Sequence, residues 1–97
     1  MSTRPELVVG LMTGTSVDGV EAALVSIRGE PPRLSWKLKG HLSSPLDPKM
    51  AARIRAVAAG EPWPAADFAA LDAALGELYA AATLELLADA DVAPAEV

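Results

Sequence analysis

The chain has 97 residues, with 8 Lys or Arg against 13 Asp or Glu, and a formal net charge of −5. That balance argues against a nucleic-acid binder, which shows a basic face, and the lack of cysteine excludes disulfides and thiolate metal sites, in keeping with a reducing cytoplasm. Hydrophobic residues make up 52% but aromatics only 4%, so the length supports at most one small domain with an aliphatic, alanine-rich core.

Met1 to Glu6 lacks the uninterrupted apolar core and cleavage site of a signal peptide. Leu7 to Met12 is an apolar run broken only by Gly10, as suits a strand covered on both faces. Val20 to Ile27 reads as a second strand, and Arg28-Gly29-Glu30-Pro31-Pro32 as a turn. A third strand is expected where Leu34, Trp36 and Leu38 alternate with Ser35, Lys37 and Lys39, one face buried and one wet, near a sheet edge. Asp47 then reads as a helix N-cap with Pro48 at the first helical position. Met50, Ile54 and Val57 give that helix an apolar stripe, leaving Lys49, Arg53 and Arg55 to water. Gly60 to Pro64 breaks it. A longer helix is predicted from about Ala65 to Ala88, with Phe68, Leu71, Leu75, Leu78, Ala82 and Leu86 at helical spacing. Asp67, Asp72, Glu77, Glu85 and Asp89 punctuate this apolar segment, so it cannot span a bilayer.

The densest chemistry lies between the first two strands. Gly14, Thr15, Ser16, Asp18 and Gly19 form a hairpin tip that can offer a polyanion backbone N–H groups and hydroxyl donors. Gly14 and Gly19 have the spacing of a P-loop, but Val20 and Glu21 stand where it needs Lys and Ser or Thr, and a strand follows rather than a helix. A nucleophile elbow would need glycine in place of Asp18. A phosphate-binding hairpin and a plain turn with ordinary turn residues both account for the composition.

The string from Gly10 to Glu21, Gly-Leu-Met-Thr-Gly-Thr-Ser-Val-Asp-Gly-Val-Glu, closely resembles the amino-terminal signature of anhydro-N-acetylmuramic acid kinases. Thr13 stands where that signature usually has Ser, and Glu21 where it has Asp. Phe68 to Gly76 is similar to the family's Phe-x-x-Leu-Asp-x-x-Leu-Gly helix. The resemblance implies an α/β, ribonuclease H-like fold, that of sugar kinases, actin and heat-shock ATPases, opening with a three-stranded antiparallel meander and two helices. It implies that residues 1–97 are the amino-terminal, incomplete part of an ATP-binding domain of this kind. In that fold the first strand is central and later strands pair with its free edge.

The implied reaction is ATP-dependent, hydrolytic opening of 1,6-anhydro-N-acetylmuramic acid, giving N-acetylmuramic acid 6-phosphate and ADP in a cytoplasmic peptidoglycan-recycling step. By resemblance, Gly14, Thr15, Ser16, Val17, Asp18, Gly19, Val20 and Glu21 make up the ATP-binding segment. Thr15 and Ser16 would donate hydroxyl hydrogen bonds to phosphate oxygens. Asp18 would work through Mg²⁺ or by holding the turn together. The implied partners are ATP and an anhydro amino sugar, with no nucleic acid or membrane, and a homodimer of the full-length parent stays open. No residue here is assigned as catalytic base, which the resemblance places in later sequence.

The remaining candidates carry less. His41 is the single histidine and reads as a surface or packing residue. Trp36 and Trp63 read as core or interface anchors, and Asp72 as a helix charge. Another ATPase of the same superfamily, or a small non-catalytic interaction domain, are the competing readings.

Overall fold

The computed structural model describes residues 4–14 and 16–97. Strands β1 (Glu6–Met12), β2 (Gly19–Glu30) and β3 (Arg33–Pro45) form one sheet in the order β1-β2-β3, with both pairings antiparallel. Helices α1 (Pro48–Ala58) and α2 (Ala65–Asp89) follow, then a single 3-10 turn at Pro94–Glu96. The expected order of three strands and two helices is therefore what the chain adopts.

Alternation along β2 decides where the core lies. Val20, Ala22 and Leu24 are at most 1% exposed and face the helices. One cluster joins Val20 to Leu46 and Ala51, at the start of α1, and to Ala82 of α2. A second joins Ala22 and Leu24 to Leu86 and Leu87, with Leu7, Val9 and Leu42 packed against it. Gly40 of β3 lies under the end of α2, where a Cβ would meet Leu86 Cδ1 at 3.3 Å and Ala90 Cβ at 3.6 Å. The small residue lets α2 approach β3 closely.

The helix boundaries follow local chemistry. Pro48 opens α1, and the carbonyl of Asp47 accepts the first helical bond from Ala51 N at 3.0 Å. The Asp47 side chain makes no capping bond, so its N-cap role is positional. α2 begins directly after Pro64 and runs one residue beyond the predicted end.

β3 departs from expectation. It is an edge strand as predicted, but Leu34, Trp36 and Leu38 are 52%, 71% and 53% exposed rather than buried. A bulge is the cause. Val25 pairs with Leu38 and Leu24 with Gly40, which leaves Lys39 without a partner across the ladder. The extra residue switches which parity faces the helices. Gly40 and Leu42 therefore point to the core, while Leu34, Trp36 and Leu38 share the opposite face with Val25 and Ile27.

Among the described residues that opposite face carries no covering layer, and it includes part of β1. Leu7 and Val9 pack against the core cluster, but Val8 and Met12 are 41% and 64% exposed. Among the described residues β1 pairs with β2 alone, so it lies at the sheet edge. No helix among the described residues is long and apolar enough to cross a membrane.

Candidate functional site

The β1–β2 connection is the predicted hairpin. Register runs from Glu6 opposite Ile27 to Met12 opposite Glu21, leaving 13–18 as the tip. No helix starts here, which removes the P-loop geometry. A turn closes it through a 3.0 Å bond from Val17 N to the Gly14 carbonyl. Val17 has φ of 52°, a left-handed conformation that a β-branched residue adopts only under outside constraint. Its side chain is packed against the Val20–Leu46–Ala51 cluster.

Three other elements brace this tip. Thr13 Oγ1 and the Tyr79 hydroxyl of α2 lie 2.7 Å apart. Arg55 of α1 donates from Nη2 to the carbonyl of Ser16 at 2.5 Å and that of Val17 at 3.4 Å. Leu46 N donates to the Asp18 carbonyl at 3.0 Å, tying the tip to the end of β3. The carbonyl oxygens of Gly14, Ser16, Val17 and Asp18 are thus all taken up by donors of the protein itself. The Asp18 carboxylate accepts from Ser16 Oγ at 3.0 Å, so it caps the turn.

The two signature glycines differ in what surrounds them. A Cβ on Gly19 would lie 2.8 Å from the Ser44 carbonyl oxygen, so glycine is required there by the approach of β3. A Cβ on Gly14 would meet nothing within 4 Å. The same is true of Gly10, Gly60 and Gly76.

The eight residues expected to bind ATP divide between tip and strand. Gly14, Ser16, Val17 and Asp18 belong to the tip, and Thr15 lies outside the described residues. Gly19, Val20 and Glu21 open β2. Val20 is fully buried, so its side chain serves the core. Glu21 lies on the uncovered sheet face, where its Oε2 is 2.8 Å from His41 Nε2 and its Oε1 accepts from Ser43 Oγ at 2.7 Å. This is not a nucleophile triad, because the serine bonds the carboxylate instead of the imidazole. Among the described residues no three His, Cys, Asp or Glu side chains converge as a metal site.

Arg55, Tyr79 and the His41–Ser43 pair are the site features that sequence reasoning missed. The helical pattern of α1 points Arg55 to water. Its contact lies 39 residues away in sequence, and nothing local to the helix signals it. The Trp63 ring meets that of Phe68 at a 46° tilt with centroids 5.9 Å apart, in the α1–α2 connection, whereas Trp36 is exposed.

The family profile described as Anhydro-N-acetylmuramic acid kinase matches residues 6–97. Curated relatives bearing that description include a protein of Picosynechococcus sp., 44% identical over 79 residues, which are 81% of this chain and 21% of the relative. One from Aliivibrio fischeri is 37% identical over 92 residues, covering 95% of this chain and 24% of the relative. One from Vibrio vulnificus is 35% identical over 97 residues, all of this chain and 25% of the relative. The chain thus spans between a fifth and a quarter of the length of these relatives. No solved structure matches it.

Proposed function

Because the chain belongs to the anhydro-N-acetylmuramic acid kinase family, we propose that it supplies the ATP-phosphate hairpin of a kinase acting on 1,6-anhydro-N-acetylmuramic acid. The observation that carries this reading is the state of the tip carbonyls. Carbonyl oxygens repel phosphate, and those of Gly14, Ser16, Val17 and Asp18 are held by protein donors. Such a loop can turn backbone amides toward β- or γ-phosphate oxygens, and the Ser16 hydroxyl, which donates to Asp18 here, would turn to the phosphate on binding, with Thr15 as the second hydroxyl that the sequence supplies.

In the proposed reaction water adds to the anomeric carbon, the 1,6-anhydro bond breaks, and the sugar's 6-oxygen takes the γ-phosphoryl group. The products are N-acetylmuramic acid 6-phosphate and ADP. Phosphoryl transfer depends mostly on positioning and charge stabilisation, and those are the contributions this chain's residues make. The general base belongs to other parts of the protein. Magnesium is held in such sites by one or two carboxylates together with phosphate oxygens, and Asp18, exposed at the tip, is a fitting single carboxylate. There the ion would offset phosphate charge. The α/β architecture agrees with a ribonuclease H-like domain in which further strands pair with β1, and the reaction suits a cytoplasmic enzyme of cell-wall recycling.

The test is to incubate the full-length protein with ATP, Mg²⁺ and the anhydro sugar and follow products by mass spectrometry. Equal amounts of ADP and N-acetylmuramic acid 6-phosphate are expected. ATP consumption without a phosphorylated sugar, or no turnover at all, defeats the reading.

A further inference from the structure

Resting on the reading of the tip as a phosphate-binding hairpin, we propose that Arg55 is its positioning residue. Arg55 occupies the last turn of α1, yet its guanidinium is directed at the hairpin. The two carbonyls it binds, those of Ser16 and Val17, belong to the two peptide planes that flank the Val17 Cα. A single guanidinium nitrogen therefore holds the first plane by a short bond and reaches the second by a weak one at 3.4 Å, and together these planes define the left-handed backbone of Val17, φ 52°.

The conformation needs that hold. A valine left to itself relaxes to negative φ, because its branched Cβ collides with the backbone in the left-handed region. Relaxation would swing both peptide planes, moving the Ser16 and Val17 carbonyls and the Asp18 amide together. The core packing of Val17 and the Gly14–Val17 turn hold one side of the loop. Arg55 holds the other.

The charge is also well placed. Among the described residues no carboxylate forms an ion pair with Arg55, and the tip's own Asp18 carboxylate accepts from Ser16 Oγ instead. Directing a cation at the carbonyl side of the loop lowers the negative potential that an incoming phosphate meets. The effect reaches the ligand through the loop, and so Arg55 acts by positioning rather than by contact.

The test uses the full-length protein with Arg55→Ala, Arg55→Lys and, as a probe of the hairpin itself, Gly14→Val. KM for ATP, KM for the anhydro sugar, kcat and thermal midpoint are measured for each. Arg55→Ala is expected to raise KM for ATP about tenfold while KM for the sugar stays within about twofold. Arg55→Lys, which keeps charge and a donor, recovers most of the loss. If the alanine variant does not fold, the selective rise in KM for ATP is read from Arg55→Lys, at about threefold. Wild-type kinetics in both Arg55 variants, with Gly14→Val impaired, overturns the proposal and leaves the phosphate reading standing. A joint rise of both KM values with a falling thermal midpoint reduces Arg55 to a structural residue and also overturns it. Wild-type kinetics in all three variants removes the phosphate reading and this proposal together.

Discussion

Thr13 Oγ1 and the Tyr79 hydroxyl meet at 2.7 Å, joining the end of β1 to the middle of α2 across 66 residues of sequence. Thr13 belongs to the family signature, and the contact shows what a hydroxyl at that position does within the fold. It fixes one arm of the hairpin tip against the helix layer. Part-burial of the pair makes the bond more costly to lose than a surface one.

A double-mutant cycle with Thr13→Ala and Tyr79→Phe should therefore give a coupling energy of about 0.5–1.5 kcal/mol in urea unfolding. Thr13→Ser, which restores the usual family residue, keeps the hydroxyl and should stay within about 0.5 kcal/mol of the parent. Additive single effects would mean that the two groups do not interact in solution.

Gly14 and Gly19 are expected to respond in opposite ways. Gly19→Ala forces a Cβ to 2.8 Å from the Ser44 carbonyl oxygen, a backbone atom that can yield only if β3 shifts. The cost should be about 1–3 kcal/mol of stability, read from the denaturation midpoint. A neutral Gly19→Ala would show that the β2–β3 ladder is looser here than its register implies.

Gly14→Val places its side chain in open space, so stability should change by no more than about 0.5 kcal/mol. In the full-length protein the same change intrudes where phosphate would sit. Together with Thr15→Ala it should raise KM for ATP or lower kcat by the equivalent of about 1.5–3 kcal/mol, the worth of one charge-assisted hydrogen bond. Unchanged kinetics in both variants would reduce the loop to a turn.

These predictions rest on a hairpin that was legible in the sequence and on braces that were not. The apolar runs on either side of Gly14 to Gly19 specify two strands and a turn by local pattern alone. The α2 boundaries were equally plain, because Pro64 and a continuous helical spacing act within a few residues. Burial along β3 was not legible, since the bulge at Lys39 inverts a period-2 pattern that Leu34, Trp36 and Leu38 announce clearly. Arg55 and Tyr79 reach the tip from 39 and 66 residues away. A helix surface arginine carries no mark of which carbonyl it will find.

Glu21 Oε2 and His41 Nε2 lie 2.8 Å apart, with side chains 50% and 53% exposed. Water screens such a pair, so His41→Ala should change stability by less than about 1 kcal/mol, and less still in high salt. Chemical denaturation at low and high ionic strength checks this. A larger, salt-independent loss would show that the uncovered sheet face is buried in solution.

In the 97-residue chain taken alone, Val8, Met12, Leu34, Trp36 and Leu38 are 41%, 64%, 52%, 71% and 53% exposed on one side of the sheet. Beside them runs the outer edge of β1, whose backbone groups find no strand partner among the described residues. Apolar surface next to an open edge is a template for pairing with another chain. The isolated chain should therefore self-associate, and it should show no kinase turnover. Sedimentation velocity should record association that grows with concentration, and Trp36→Lys or Met12→Lys should weaken it by placing charge on the face without touching the core. A monodisperse monomer over a wide concentration range would overturn the structural half of this expectation. Phosphorylation of the anhydro sugar by the purified chain would overturn the catalytic half.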